Sequence, residues 1–444
     1  MKRMSRLFAA GIAVVLTAGL MVGCADNSQK PAETAGSEQG TASSVADDGN
    51  ATQGDKIKLS FGMWDEKQRA AMQQMIDAYM ALNENVEIEI QLTPYKGGEY
   101  WTKLEASAGG GTAPDVFWLN VLHMDAYQEG GILADMTEAI AASDISANFP
   151  ESLIHNYVRE DKNYAVPKDF DTNALWFNKE MFDAAGVAYP TDDLTFEQFV
   201  ELCRELKDKL PEGVYPFACP VDFQTWYYQT VYANGGWILN EDATESGYGD
   251  PKTQGGIQCW IDMINEDLSP SAYTLAETST DAMFEGEQIA MVLAGSYMVP
   301  EYSSNEVIKD KIDCVEVPSF NGIEDNCING LGFAVYEMAK NKEAAIDFAI
   351  WMGGKEAQEI QGKTGVVISA RNDAQPFFEE VGKNYNLAAY TNHSADAYPL
   401  PVCTKAAELY DLESTWLTKA YTGEMSLEDA CTELKKLADE LLQK

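Results

Sequence analysis

The amino-acid sequence predicts an α/β protein with two domains, and three observations support this prediction. Strand and helix patterns alternate along the body of the chain. The body, residues 56–444, is long enough that two domains are expected rather than one. No apolar run within it approaches the length that a bilayer-spanning helix needs. Alternating strands and helices imply a parallel sheet with helices on both of its faces.

The body opens with a β-α-β-α-β pattern. Apolar and polar residues alternate over residues 57–61 and again over 86–92, which is the period of a strand. Residues 67–82 carry an apolar stripe with helical spacing, and a second helix is predicted over 100–108. The fully apolar residues 116–119 form a third predicted strand. Ligands on such sheets bind beyond the carboxyl ends of the strands, so these ends are the first place to look for a site.

The rest of the chain continues the same pattern. Thr195 and Gln198 have the spacing of a capping box, which marks the start of a helix. The predicted helices in this part cover residues 178–185, 195–206, 226–233, 254–264, 342–352 and 426–442, and a strand is predicted over residues 289–293.

The first 23 residues have the layout of a secretory signal peptide. Lys2, Arg3 and Arg6 make a basic start, and residues 7–22 form a mostly apolar run. This run is too short and too rich in small residues for a transmembrane span. The sequence therefore predicts that the body is exported from the cell.

A cysteine follows the apolar run directly. The segment Leu20–Cys24 resembles a bacterial lipobox, although Met21 stands where that motif usually has Leu. The resemblance implies that Cys24 is lipidated and becomes the mature N-terminus; the alternative is an ordinary signal peptide with a chance cysteine. Residues 25–54 are almost all small or polar, so residues 24–55 are predicted to be a lipidated cysteine and a disordered tether. Such an anchor would hold the body at the outer face of the cell membrane.

Charge and cysteine usage exclude several classes of protein. Acidic residues outnumber basic ones by 71 to 31, for a formal net charge of −40. Nucleic acid is not an expected partner, because its binding depends on Lys and Arg that neutralise phosphate. The 8 cysteines form no CxxC pair, so no zinc ribbon or thioredoxin-like site is expected. The cysteines after Cys24 are either free and buried or include one or two disulfides.

No catalytic motif stands out in the sequence. GxSxG, HExxH and P-loop patterns are absent, and His123, His155 and His393 fall in no spaced pair. The triglycine of residues 109–111 ends a helix and is predicted to be a flexible loop rather than a phosphate cradle. We therefore expect a protein without catalytic residues, cofactor or metal.

Six short motifs occur along the body in a fixed order. Each one combines turn chemistry with core packing and is weakly diagnostic alone, whereas six in order behind a lipobox are strong evidence. The motifs are GGTAPDV at residues 110–116, GGILADM at 130–136, YAVP at 164–167 with LWFNK at 175–179, F..AGV..P at 182–190, FEG...AM at 284–291 and KNKEAA at 340–345.

With these motifs the chain resembles family 1 extracellular solute-binding proteins of bacterial ABC importers, the maltose-binding-protein-like group. The resemblance implies a type II periplasmic-binding-protein-like fold, in which a hinge of crossing strands joins two doubly wound α/β lobes. Lobe 1 is predicted over residues 56–169 plus about 298–365, and lobe 2 over 170–297 plus about 366–444. The resemblance also implies that the protein is not an enzyme.

The resemblance further implies partners and a mechanism. A monomer captures a carbohydrate, expected to be an oligosaccharide, in the cleft between its lobes and delivers it to the transmembrane permease subunits of an ABC importer. The lobes close on the ligand about the hinge. Two alternatives remain open at this stage: a binder of a polyamine or another small polar solute for the same kind of importer, and a secreted carbohydrate-active enzyme.

A sugar site needs carboxylates or amides for hydroxyl groups and flat aromatic faces for C–H patches. Alignment on the family motifs gives candidates at strand ends, at the chain crossings and in aromatic segments of lobe 2. They are Trp64, Asp65, Asn120, Asp171, Trp226, Tyr227, Trp237, Tyr297, Gly330 and Arg371.

Several of these candidates have an equally simple structural role. Trp64 could only pack lobe 1, Asn120 could only form a turn, and Arg371 could form a surface ion pair. Trp226 and Tyr227 cannot both face a ligand, because neighbours on a helix point in different directions. Asp171 is preferred as the ligand carboxylate over Asp169, and one of the two could simply pair with the adjacent lysine.

Overall fold

The computed structural model describes residues 56–95 and 98–443. The predicted signal peptide, the lipidated cysteine and the tether lie outside these residues. The strands are β1 (Ile57–Met63), β2 (Val86–Leu92), β3 (Val116–Asn120), β4 (Val158–Arg159), β5 (Lys162–Asn163), β6 (Ala165–Pro167), β7 (Asp169–Phe170), β8 (Asn173–Asn178), β9 (Met291–Gly295), β10 (Ile312–Val315), β11 (Cys327–Ile328), β12 (Leu331–Val335), β13 (Ile368–Ser369) and β14 (Tyr398–Pro399).

The helices pack around these strands, and short 3-10 turns precede several of them. One segment, Phe223–Tyr227, is a π-helix. The α-helices are α1 (Arg69–Leu82), α2 (Glu99–Gly109), α3 (Met124–Glu129), α4 (Thr137–Ala141), α5 (Ile145–Asn148), α6 (Glu151–His155), α7 (Lys179–Ala185), α8 (Phe196–Lys207), α9 (Tyr228–Ala233), α10 (Pro251–Asn265), α11 (Ala272–Glu277), α12 (Thr280–Glu285), α13 (Val299–Ser304), α14 (Lys342–Met352), α15 (Lys355–Thr364), α16 (Pro376–Val381), α17 (Ala406–Tyr421) and α18 (Leu427–Leu442).

Lobe 1 is built on a five-stranded sheet with the order β2-β1-β3-β12-β6. β1 pairs in parallel with both β2 and β3, as the β-α-β-α-β pattern predicts. In β2 every second residue is buried, because one side of the strand faces solvent and the other the core. β12 returns from a distant part of the chain and pairs antiparallel with β3 and β6.

Lobe 2 is built on a three-stranded sheet with the order β10-β8-β9. Both pairings in this sheet are antiparallel, so it differs from the parallel arrangement of β1 to β3. All six residues of β8 are buried. This explains why β8 has the continuous apolar stretch Ala174–Phe177 instead of an alternating pattern.

The chain passes between the two sheets at three crossings that lie side by side. The first crossing runs from β6 through β7 to β8, the second from β11 to β12, and the third through β13. β7 pairs antiparallel with β13, and Asp171 forms an isolated bridge with Asn329. These crossings form the hinge region between the lobes.

Three clusters of buried apolar side chains stabilise the two lobes. The first contains residues of both sheets, such as Phe61 and Trp176, together with Phe170 of the first crossing. The second fills the other side of lobe 2 around Trp260, and the third fills the other side of lobe 1 around Leu119. The crossings are therefore packed into the core and are not exposed linkers.

The predicted elements agree closely with the structure. The capping box at the start of α8 is present, since Thr195 and Gln198 bond each other's backbone. The segment predicted as one helix over 226–233 is instead the end of the π-helix followed by α9. Among the described residues, no helix is both long and apolar enough to cross a membrane.

One strand lies in a different lobe from the one predicted for it. The predicted boundaries place residues 298–365 in lobe 1, but β10 pairs with β8 of the lobe 2 sheet. The preceding helix, α13, also belongs there, because the Tyr302 hydroxyl donates to Asp281 at 2.5 Å. The chain rejoins the lobe 1 sheet only at β12, after the second crossing. The remaining lobe boundaries stay predictions.

Candidate functional site

A cleft with a volume of about 320 Å³ lies where the two lobes and the crossings meet. Its lining combines aromatic rings, side-chain amides and carboxylates, and no described lining residue is cationic. The lining residues are Trp64, Asp65, Gln68, Tyr95 and Asn120 from lobe 1, Asp169, Phe170, Asp171, Asn329, Leu331 and Val367 from the crossings, and Gln224 and Tyr297 from lobe 2.

The end of β1 supplies the first wall of the cleft. Asp65 caps the 3-10 turn of residues 66–68 through a hydrogen bond from the backbone N of Lys67 to its Oδ1 at 2.9 Å. Its Oδ2 accepts a bond of 3.0 Å from Nε2 of Gln68. Asp65 therefore orients Gln68, and a ligand would meet both groups together.

Trp64 is held by a set of aromatic rings. Its ring centroid lies 4.9 Å from Tyr100, 5.0 Å from Trp118 and 5.7 Å from Tyr95. The contacts with Tyr100 and Trp118 are edge-to-face, an arrangement that adds to the stabilisation from burial alone. Trp64 thus packs lobe 1 and lines the cleft at the same time, so the two roles considered for it coexist.

Asn120, at the end of β3, also has two roles. Its Oδ1 accepts a hydrogen bond of 2.9 Å from the backbone N of Leu122 and caps the 3-10 turn of residues 121–123. Because the turn uses the side-chain oxygen, the amide nitrogen is the donor that a ligand would meet. The parallel pairing of β1 and β3 brings Asn120 to the same edge of the sheet as Trp64.

A buried lysine lies beneath the floor of the cleft. Lys168 is 0% exposed, and its Nζ donates to Oε1 of Gln68 at 2.8 Å and pairs with Oδ2 of Asp169. The other carboxylate oxygen of Asp169 accepts from the backbone N of Leu331 at 3.0 Å. Both oxygens of Asp169 are thus engaged by the protein itself, as a buried ion pair requires.

Asp171 is the second carboxylate of the floor. Burial, aided by the negative charge of Asp169, raises the pKa of Asp171 to about 7, although a hydrogen bond from Gln224 opposes the shift. That bond runs from Nε2 of Gln224 to Oδ2 of Asp171. Both Asp169 and Asp171 line the cleft, but the contacts of Asp169 leave Asp171 as the better candidate for a ligand contact.

A chain of amides continues from Asp171 across the floor. Oε1 of Gln224 accepts from Nδ2 of Asn329 at 3.0 Å, and Oδ1 of Asn329 accepts from the backbone N of Gly330 at 2.8 Å. This chain fixes which atoms of Gln224 and Asn329 face each other. Gln224 itself comes from the π-helix of lobe 2.

The wall on the lobe 2 side carries Tyr297, which follows β9. Its side chain is 46% exposed and lines the cleft. The ring lies over Gly295, where a Cβ atom would collide with the ring carbons. Glycine at this position therefore allows Tyr297 to lie against the strand end.

Trp226 and Tyr227 do not line the cleft, which corrects the prediction for both. Trp226 is 4% exposed, and its Nε1 donates to the carbonyl of Ala218 at 3.1 Å. Tyr227 is 0% exposed, and its hydroxyl donates to Glu413 at 2.6 Å. The π-helix directs these large rings into the core and the smaller Gln224 toward the cleft.

Trp237 and Arg371 also lie elsewhere. The Nε1 of Trp237 donates to Asp250 at 3.2 Å, at the start of α10. Arg371 is 2% exposed and makes a bidentate ion pair with Asp144, at 2.7 and 3.0 Å. The guanidinium is thus buried while the side chain of Asp144 stays 57% exposed, and the pair ties the third crossing to lobe 1.

Gly330 lies between two residues of the cleft lining without lining it. The close backbone approach predicted for it is present, because a Cβ atom would collide with the carbonyl oxygen of Asp169. Glycine at this position therefore lets the first and second crossings touch, and the ligand contact predicted here has no support.

Five polar or aromatic lining residues were missed by the sequence reasoning: Gln68, Tyr95, Phe170, Gln224 and Asn329. Gln68 follows Asp65 at the spacing of a helix cap, which was an available signal. Gln224 sits behind Asp222, whose side chain caps the π-helix through the backbone N of Thr225 at 2.8 Å. The cap at Asp222 was therefore an available signal for Gln224 as well.

The sequence of this chain matches a known protein family. The sequence model described as bacterial extracellular solute-binding protein matches residues 64–359, which confirms the predicted resemblance. The galactooligosaccharide-binding protein of Bacillus subtilis is 19% identical over 393 residues, which cover 85% of this chain and 88% of that protein.

Solved structures share the fold. An ABC substrate-binding protein from Listeria monocytogenes, in complex with cycloalternan, has a TM-score of 0.80 at 23% identity and covers 88% of this chain and 100% of its own. The GacH receptor of Streptomyces glaucescens, solved unliganded and with acarbose, has a TM-score of 0.78 at 20% identity and covers 88% and 99%. These similarities confirm the predicted two-lobed α/β fold.

Proposed function

Because this chain belongs to the bacterial extracellular solute-binding proteins, we propose that it captures a carbohydrate between its lobes for an ABC importer. It would hand the sugar to the transmembrane permease subunits, as a binding protein and not as an enzyme. One observation supports the choice of carbohydrate above all others. The cleft places aromatic rings on both lobes, Trp64 and Tyr95 on one and Tyr297 on the other, around a floor of carboxylates and amides.

Each part of this lining matches a part of a sugar. The rings of Trp64 and Tyr297 offer flat apolar faces to the C–H patches of a pyranose. Asp171 would accept hydrogen bonds from hydroxyl groups, while the amide nitrogens of Gln224 and Asn120 can donate to them. Buried polar groups of this kind discriminate strongly, because a ligand without the matching hydroxyl leaves them unpaired.

The lining residues come from both lobes, which supports a closing mechanism. A ligand that contacts Trp64 of lobe 1 and Tyr297 of lobe 2 binds the closed state more tightly than the open one, and so shifts the population toward closure. The three crossings are the segment about which the lobes would turn. The closed form would then dock on the permease.

The relatives point to an oligosaccharide. Their names and ligands include galactooligosaccharide, cycloalternan and acarbose. We propose the same class for this chain, with the rings of Trp64 and Tyr95 as neighbouring contacts for successive sugar units. We further propose that the protein acts as a monomer and is anchored outside the cell through a lipid on Cys24. Mass spectrometry of the N-terminal peptide of the membrane-extracted protein would test the anchor.

A binding screen tests the proposed ligand. The purified protein is heated with neutral oligosaccharides, with polyamines and with no ligand, and positive hits are titrated by calorimetry. A ligand at a hundredfold excess over its Kd stabilises the folded state by about 2.7 kcal/mol. Asp171→Asn should lose most of the response to the sugar. Asp208→Asn makes the same chemical change at an exposed site outside the cleft lining and should keep it.

A polyamine is the second candidate. Asp65, Asp169 and Asp171 give the cleft three carboxylates, and none of the described lining residues is cationic. A response to polyamines with none to sugars would replace carbohydrate by polyamine while keeping the importer role. Release of reducing ends from oligosaccharides by the pure protein would contradict the binding role.

A further inference from the structure

A fully buried carboxylate lies in lobe 2, away from the cleft lining. Glu413 of α17 is 0% exposed. Its Oε2 accepts from the hydroxyl of Tyr227 at 2.6 Å, and its Oε1 accepts from the hydroxyl of Tyr228 at 2.9 Å. Tyr248 donates to Oε1 as well. Three tyrosines from two separate segments thus converge on one carboxylate.

Such a group is costly in the interior of a lobe. A carboxylate that leaves water must recover its lost hydration through hydrogen bonds. Burial raises the pKa of Glu413 to about 7, although the three hydroxyl donors oppose the shift. An apolar side chain here would leave the three buried hydroxyls without this acceptor, so the role of Glu413 lies in the groups that it holds.

Two of those groups lie on the turn that carries Gln224. Tyr227 is the last residue of the π-helix, and Tyr228 is the first residue of α9. A π-helix fits one extra residue into its turn, and such turns are frequent at functional sites. The same turn is held from the other side, where its carbonyl at Gln224 accepts from Nδ2 of Asn173 at 3.0 Å.

We propose that Glu413 is a positioning residue of the cleft, which fixes the π-helical turn through Tyr227 and Tyr228 and so presents Gln224 to Asp171 and to the ligand. The effect on ligand rests on the function proposed above. The effect on the turn concerns the ligand-free protein and stands independently of any ligand. Glu413 itself lies outside the lining of the cleft.

Tyr248 offers a matched control within the same cluster. It lies in the 3-10 turn Gly247–Gly249, which precedes α10 and contacts α18. Its hydroxyl donates to the same carboxylate, but it is not part of the π-helix. Tyr227→Phe and Tyr248→Phe therefore remove the same chemical group from Glu413, the first at Oε2 and the second at Oε1.

Hydrogen–deuterium exchange on the full chain without ligand tests the positioning. Tyr227→Phe and Glu413→Gln should speed exchange of the backbone amides of residues 223–228 about tenfold, whereas Tyr248→Phe should leave them within about twofold. Equal acceleration by Tyr248→Phe and Tyr227→Phe would overturn the proposal, since the cluster would then be purely structural. No acceleration by Tyr227→Phe would overturn it too. The two tyrosine variants decide the question even where Glu413→Gln fails to fold.

Calorimetric titration with maltotriose tests the consequence for binding. Tyr227→Phe should weaken binding about tenfold, in parallel with Gln224→Ala, while Tyr248→Phe should keep the native Kd even where its thermal stability falls equally. A native Kd in Tyr227→Phe beside a weakened one in Gln224→Ala would contradict the link to the cleft. If the native protein gives no heat with maltotriose, the choice of this sugar fails, and the exchange result still decides the positioning.

Discussion

The two walls of the cleft are built in different ways. The lobe 1 wall uses the carboxyl ends of two parallel strands, β1 and β3, which place Trp64 and Asn120 at one sheet edge. The lobe 2 wall uses Gln224, which comes from a π-helix, and Tyr297, whose ring lies over a glycine. Regular elements make the first wall part of a packed core, whereas the second depends on local hydrogen bonds. Stability and binding should therefore be coupled in lobe 1 and separable in lobe 2.

Trp64→Ala against Tyr297→Ala gives the largest expected contrast. Trp64 packs against four aromatic rings, so its removal should cost about 3 kcal/mol of unfolding free energy as well as most of the ligand affinity. Tyr297 is 46% exposed, so its removal should change stability by less than about 0.5 kcal/mol while also weakening binding. Urea unfolding and titration with the identified ligand measure both quantities. Similar stability losses in the two variants would contradict the distinction between the walls.

The floor should add a pH dependence of its own. The folded pKa of Asp171, about 7, lies above the ordinary value of 3.8, so the folded protein binds more protons than the unfolded chain between these values. The contribution of Asp171 to stability is therefore present below about pH 4 and is lost as pH rises to about 7, by up to about 1.4 kcal/mol per pH unit.

Asp171→Asn isolates this contribution. Other carboxylates with lowered pKa values, such as Asp144 and Asp439, give slopes of opposite sign in the native protein. The difference in unfolding free energy between variant and native protein should therefore grow in favour of the variant from pH 4 to pH 7. A difference that stays constant over this range would show that the carboxyl is not held in its protonated form.

The contrast between the walls also explains what the sequence could predict. Alternating and helical periods and one apolar run predicted β1, β2, β3 and helices such as α1, α8 and α18, because regular elements leave regular patterns. The strand ends then led to Trp64, Asp65 and Asn120, all of which line the cleft. The predictions that failed are those on irregular or long-range structure. A π-helix has no sequence period of its own, so the sequence predicted Trp226 and Tyr227 as ligand contacts, whereas Gln224 is the residue of this turn that reaches the cleft.

Long-range contacts account for the remaining differences. The partner of Arg371, Asp144, is 227 positions away in the sequence, and no local pattern predicts the pair. The return of β10 to the lobe 2 sheet likewise depends on a partner strand more than a hundred residues earlier. The family resemblance led to Asp171 and Tyr297, which line the cleft, because it carries long-range information that one sequence lacks.

Arg371→Ala should have a smaller effect on stability than the loss of Trp64. The bidentate pair with Asp144 ties the third crossing to lobe 1, and a local bond to Asp373 orients the guanidinium. The carboxylates left behind are 57% and 38% exposed and can be hydrated, so we expect a loss of about 2 kcal/mol rather than the larger cost of a stranded buried charge.

Arg371→Lys keeps the charge but loses the fork geometry, and should recover only part of this loss. Thermal or urea unfolding measures both variants, and titration reports whether the hinge still closes on the ligand. Full recovery by lysine would mean that charge alone, and not the bidentate contact, holds the crossing.

The smallest effect is expected where the two walls touch. Lys67, on the turn after β1, pairs with Glu301 of α13, so this ion pair joins the two lobes. The side chain of Lys67 is 55% exposed, and such pairs contribute about 0–1 kcal/mol. Lys67→Ala should therefore barely change stability, yet shift the lobes toward the open state and lower the affinity for the ligand by a few-fold. The shift should vanish near 1 M salt, where exposed charges are screened within about 3 Å. A salt-independent shift would mean that Lys67 acts through packing on lobe 1 alone, and that the walls are not linked by charge.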